Sequence, residues 1–125
     1  MILDTNALSA MADGDAKLDP VLRTAAEIAV PVIVLGEYRY GIRQSRDRAQ
    51  YERWLAKMIP SGRLLVVDEG TAAEYAEVRA ELKRNGRPIP ANDLWIAALA
   101  RQHSLPLISR DAHFDFVPGL ERVSW

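Results

Sequence analysis

Cysteine is missing from all 125 residues. That single absence removes disulfides, thiolate zinc sites and thiol nucleophiles from consideration. Long apolar runs are missing too: none approaches the roughly 20 residues of a membrane span, and Asp4 interrupts the opening apolar triplet too early for a signal peptide. A cytoplasmic protein with no membrane partner is the expectation. Neither charge sign dominates, with 16 Lys and Arg against 17 Asp and Glu. Composition therefore does not advertise nucleic-acid binding, although segregated charge can still build such a surface. Aromatics make up only 7%, and no base-stacking motif is legible among them. Repeats, low-complexity stretches and linkers are likewise absent. What remains is a chain 49% hydrophobic, which suits one compact domain over residues 1–125 with a real core.

The apolar segments alternate in period. Residues 1–3 read as a first strand, and Asn6 can cap a short helix over 7–12. Asp13-Gly14-Asp15 breaks that helix, and Pro20 opens a second over 20–28. The β-branched residues of 30–34 predict a second strand, with Pro31 near its start. Helical spacing follows over 35–44 and 47–59, the latter stopped by Pro60-Ser61-Gly62. A third strand is expected over 64–67 and a helix over 70–84, ended by Asn85-Gly86. Residues 91–103 form the most apolar helix, and strands are expected over 105–109 and 122–124. Strands alternating with helices predict an α/β fold with a four- to five-stranded parallel sheet flanked by helices.

Four acids stand at telling places in that plan. Asp4 and Asp111 fall at the carboxyl ends of expected strands, where the functional crevice of such sheets lies. Glu37 and Asp93 sit near the heads of apolar helical runs. Carboxylates in such settings are costly to desolvate, and like charges about 4 Å apart repel by roughly 4 kcal/mol per pair at an effective dielectric near 20. A bound divalent cation resolves that conflict and points to phosphate chemistry. Each acid also has a plainer reading: Asp4 as a helix cap, Glu37 as a solvated helix residue, Asp93 as a first-turn acid favoured by the helix dipole, Asp111 as a turn residue.

Asp4-Thr5-Asn6 after an apolar strand, Leu35-Gly36-Glu37, Asn92-Asp93-Leu94-Trp95-Ile96-Ala97-Ala98, and Leu107-Ile108-Ser109-Arg110-Asp111-Ala112-His113-Phe114 occur here in that order. In this the chain resembles PIN-domain ribonucleases of the VapC toxin type, over nearly its whole length. The resemblance implies a PIN-like fold and Mg²⁺- or Mn²⁺-dependent endonucleolytic cleavage of RNA by a metal-activated water. It also implies a homodimer and a VapB-type antitoxin partner. Asp4, Glu37, Asp93 and Asp111 match the family's catalytic, metal-holding quartet. Ser109 matches a supporting hydroxyl, and Asp115 a further acid carried by some members. Asn6 is taken as a third supporting residue.

The basic residues cluster over 39–57 and 79–87, and Arg39, Arg43, Arg84 and Arg87 are candidates to line a path for the RNA backbone. A groove near Tyr38, Tyr40 and Trp54 could take an amphipathic antitoxin peptide whose cation pairs with the acids. His113 invites a general-base role, but a lone loop histidine is more often structural or solvated. Two rivals remain: a non-catalytic PIN-fold RNA-binding or assembly module, and a haloacid-dehalogenase-like phosphatase. The latter needs a second Asp two residues after the first, where this chain has Asn6.

Overall fold

Five short strands, drawn from both ends and the middle of the chain, pair into one sheet. In the computed structural model, which describes residues 1–125, these are β1 (Ile2–Leu3), β2 (Ala29–Pro31), β3 (Arg63–Leu65), β4 (Leu107–Ile108) and β5 (Arg122–Val123). Their order is β3-β2-β1-β4-β5, and every pairing is parallel. Ile2 lies between Ala29 and Leu107, and Leu3 lies opposite Ile108. These central strands are apolar without alternation because helices cover both faces. Ile2, Leu3, Leu107 and Ile108 are fully buried, as are Leu8, Ile96, Leu99 and Phe114 around them.

The connections are helical. α1 (Thr5–Ala12) and α2 (Asp19–Leu22) link β1 to β2; α3 (Val32–Ile42) and α4 (Arg48–Ser61) link β2 to β3. α5 (Glu69–Arg84) and α6 (Ala91–His103) lead back to β4, and a 3₁₀ turn (Ala112–Phe116) precedes β5. The chain thus builds outward from β1 to β3, then crosses over to lay β4 on the other side of β1. That reversal opens a crevice at the carboxyl ends of β1 and β4. Backbone bonds carry the ladder one step further there: Asp4 N–H donates to the Ile108 carbonyl (3.2 Å), and Ser109 N–H to that of Val123 (3.0 Å).

Several local expectations need correction. α1 starts at Thr5, and its cap is Asp4, not Asn6; the Asp4 side chain accepts from Ala7 N–H at 2.7 Å. The helix expected over 20–28 stops at Leu22. The Thr24 hydroxyl donates back to the Val21 carbonyl (2.7 Å), and Ala29 N–H is taken by Met1 in the sheet, which requires extended chain before it. The β-branched run at 30–34 divides: β2 ends at Pro31, and Val32, Ile33 and Val34 open α3. Propensity favours strand for those three, but burial of Val34 in the core outweighs it. β3 lies one residue earlier than expected and stops at Leu65, because only 63–65 find partners on β2. The helix over 91–103 lies where its apolar run predicts.

Candidate metal-dependent nuclease site

Four elements deliver the candidate acids. Asp4 caps α1 directly beyond β1 and is 4% exposed. Burial raises its pKa above the ordinary carboxyl range; the Ser109 hydroxyl and the Ala7 and Asn6 N–H groups pull it back, and the charge of Asp111 pushes it further up. Asn6 therefore serves through its backbone, while its side chain is exposed. Ser109 is fully buried and works between two acids: its hydroxyl faces Asp4, and its oxygen accepts from Asp111 N–H at 2.9 Å.

Glu37 lies on the second turn of α3, where the Thr5 hydroxyl donates to its Oε1 at 2.8 Å. Asp93 stands in the first turn of α6, a helix whose Pro90 cap supplies no side-chain bond. Its pKa is raised, first by burial, and then by the charges of Asp111, Glu37 and Asp4; only His113 opposes the rise. That response identifies Asp93 as the residue on which the other three acids act together. Asp111 caps the 3₁₀ turn and accepts from His113 N–H at 3.2 Å. None of the four acids forms an ion pair with Lys or Arg.

The histidine set aside on sequence grounds is in the middle of this group. His113 Nε2 is 3.1 Å from Asp93 Oδ2, and Nδ1 is 3.0 Å from Asp111 Oδ1. Nε2 is buried and makes no hydrogen bond, so Asp93 is a close neighbour of the ring and not its hydrogen-bond partner. One ligand atom from each of Asp93, Asp111 and His113 fits within 4.8 Å. The available signal was the Asp-x-His spacing: an acid that caps a tight turn brings the side chain two residues on back beside itself.

Asp115 stands apart from the group. Arg122 grips it bidentately, Nε to Oδ1 at 2.7 Å and Nη2 to Oδ2 at 2.8 Å, and these bonds hold its carboxyl below the usual range. The same guanidinium donates to the Ser109 carbonyl at 3.0 Å, so Arg122 and Asp115 brace the backbone that presents Asp111. Among the candidate RNA-contacting cations, Arg39 pairs with Glu52 (3.3 Å) and Arg87 lies over the Phe116 ring (4.2 Å). Arg43 and Arg84 are exposed and make no ion pair. The aromatic groove expected at Tyr38, Tyr40 and Trp54 is not formed as such: Tyr38 is buried at 4% and Trp54 half-buried, and only Tyr40 stands free at 77%.

Residues 1–120 match the PIN domain family. The chain belongs to that family. Its PIN domain is 32% identical over 124 residues to Ribonuclease VapC5 of Mycobacterium tuberculosis, covering 98% of this chain and 90% of that one. Among solved structures it resembles VapBC-5 of the same organism, a member of the VapBC family of toxin–antitoxin systems, with 31% identity, a TM-score of 0.79, and 99% and 97% of the two chains covered. It also resembles VapBC2 of Rickettsia felis bound to promoter DNA, with 26% identity, a TM-score of 0.86, and 99% and 97% coverage. The PIN domain is thus of the VapC type, and the phosphatase reading falls.

Proposed function

We propose that the chain is a metal-dependent endoribonuclease, the toxin of a VapBC-type pair, acting on RNA in the cytoplasm as a homodimer of single-domain subunits. The observation that carries this reading is Asp93: a half-buried carboxyl in a helix's first turn, raised by burial and by three acids from three other elements, with no Lys or Arg to offset them. The donor set fits a hard divalent cation, Mg²⁺ or Mn²⁺, because carboxylate oxygens dominate it. Asp93 and Asp111 would hold the ion, Asp4 and Glu37 would complete its surroundings, and His113 offers a nitrogen within the same 4.8 Å span. When bound, such an ion neutralises phosphate charge and lowers the pKa of a water for in-line attack.

The chain's own residues do the rest. Ser109 offsets part of the rise that burial imposes on Asp4 and orients Asp111; Thr5 fixes Glu37; Arg122 and Asp115 hold the loop beneath Asp111. Arg43 and Arg84 are free to meet phosphates. The named relatives support the RNA substrate and the antitoxin, whose basic side chain would compete with the cation for the acids. The test is RNA cleavage by the purified protein with Mg²⁺ or Mn²⁺ and with chelator. Cleavage that leaves 5′-phosphate and 3′-hydroxyl ends, lost in chelator and in Asp93→Asn, is the expected result. Cleavage indifferent to metal and to Asp93→Asn overturns the proposal.

A further inference from the structure

Beside the acids, between α1, α3 and α4, lies a cavity of about 300 Å³. It shares Thr5 and Glu37 with the candidate site and so adjoins it. Its remaining walls mix polar groups with the apolar surface of Ile42 and two tyrosines, and none is basic. Ser9 and Ser45 line it, and the Tyr51 hydroxyl donates to Asp13 Oδ1 at 2.6 Å, fixing that carboxylate at the cavity with its second oxygen uncommitted. Tyr38, 4% exposed, forms another wall, and its hydroxyl has no protein partner. No Lys or Arg lines the space.

A buried hydroxyl without a partner costs stability. The lining limits what the cavity can take. Two carboxylates and no cation repel a phosphate. A neutral, flat group bearing N–H donors suits the same walls, since a carboxylate accepts through two oxygens and tyrosine rings offer apolar faces. Single-stranded RNA presents such groups as unstacked bases read along their Watson–Crick edges.

We propose that this cavity is a base-selecting subsite, taking the nucleobase next to the scissile phosphate and favouring guanine through Asp13. This rests on the ribonuclease reading above. Guanine carries two N–H donors side by side, which match one carboxylate. Uracil presents a single N–H between two carbonyl oxygens that Asp13 repels, and so is the base most disfavoured. Tyr38 closes the wall beside the base, and Tyr51 holds Asp13 in place.

The experiment is digestion of a randomised RNA library by the full chain with Mn²⁺, followed by sequencing of the cut ends. The wild type is expected to enrich guanine over uracil by at least about tenfold at one position within two nucleotides of the cut, the range a good bidentate base contact gives. Asp13→Asn should flatten that position alone, whereas Tyr38→Phe, which removes a hydroxyl closed to the cavity, should keep the preference and melt higher than the wild type. Gly41→Leu gives an independent test. Gly41 lines the cavity from helix α3, and a Cβ added there meets nothing within 4 Å, so a larger residue has room to enter the space. It too should erase the preference. Cutting with the same base pattern in the wild type, Asp13→Asn and Gly41→Leu overturns the subsite and spares the nuclease reading. No cutting beyond that of Asp93→Asn overturns both. A Gly41→Leu protein that cuts with the wild-type pattern but no longer binds its antitoxin assigns the cavity to the protein partner and overturns the base-selecting role.

Discussion

Asp93 bears two costs at once, burial and the charge of its neighbours, and both raise its pKa. The folded, metal-free protein therefore binds a proton at Asp93 more readily than the unfolded chain does. Relative to the protonated form, stability falls as pH rises through the ordinary carboxyl value, keeps falling to the raised folded value, and is flat above it. Asp4, raised mainly by burial, acts in the same direction. Asp93→Asn should then melt higher than the wild type at neutral pH without metal, and the gap should close toward acid pH, while RNA cleavage is lost. Melting curves across pH on both proteins check this; a variant that melts lower at neutral pH contradicts it. His113 was the residue least legible in sequence. Its role depends on α6 and the 3₁₀ turn meeting in space, which no local pattern encodes.

At the scale of elements, α1 and α5 show how capping separates stability from chemistry. Asp4 is both a cap and a candidate ligand. Asn caps as well as Asp, whereas Ala does not cap. Asp4→Asn should keep the fold and lose cleavage; Asp4→Ala should lose cleavage and cost about 1 kcal/mol in addition, read by urea denaturation. α5 opens on a reciprocal cap, Asp68 accepting from Thr71 N–H and Thr71 Oγ1 from Asp68 N–H, each at 3.0 Å. The fully buried Thr71 also bonds Gln102 of α6. Thr71→Val should cost about 1–3 kcal/mol by stranding those partners, with the metal requirement of cleavage unchanged.

These elements also show what sequence could reveal. α6 was legible because seven consecutive apolar residues, 94–100, leave a helix little choice but burial. The ends of β2 and β3 were not, because strand length here is set by where a partner lies: Pro31 pairs with Leu65, and nothing pairs beyond. The acids were visible because each stands at or near the end of an element, the place where side chains leave the core. Their common neighbourhood followed from the parallel sheet, but the hydroxyls that orient them, Thr5 and Ser109, take their partners from tertiary contact.

For the whole molecule, the acids converge at the crossover between β1 and β4, while the anchors lie outside it. Arg101 of α6 pairs with Glu74 (3.1 Å) and Glu81 (2.6 Å) of α5 and reaches the Pro118 carbonyl, tying the helical layer to the chain's last turn. No helix is long and apolar enough to cross a membrane. A cation that binds only the folded form stabilises by mass action, about 2.7 kcal/mol at a hundredfold excess over Kd. Mn²⁺ should raise the melting temperature of the wild type, and chelator should reverse it.

Asp4, Glu37, Asp93 and Asp111 are proposed to act as one metal site. Calorimetric titration of Mn²⁺ into the wild type and the four single amide variants, Asp4→Asn, Glu37→Gln, Asp93→Asn and Asp111→Asn, tests it most directly. Binding to the wild type that each substitution weakens is the expected result, though the acids come from four different elements. Binding of equal strength in the wild type and all four variants, or none in the wild type, would contradict it.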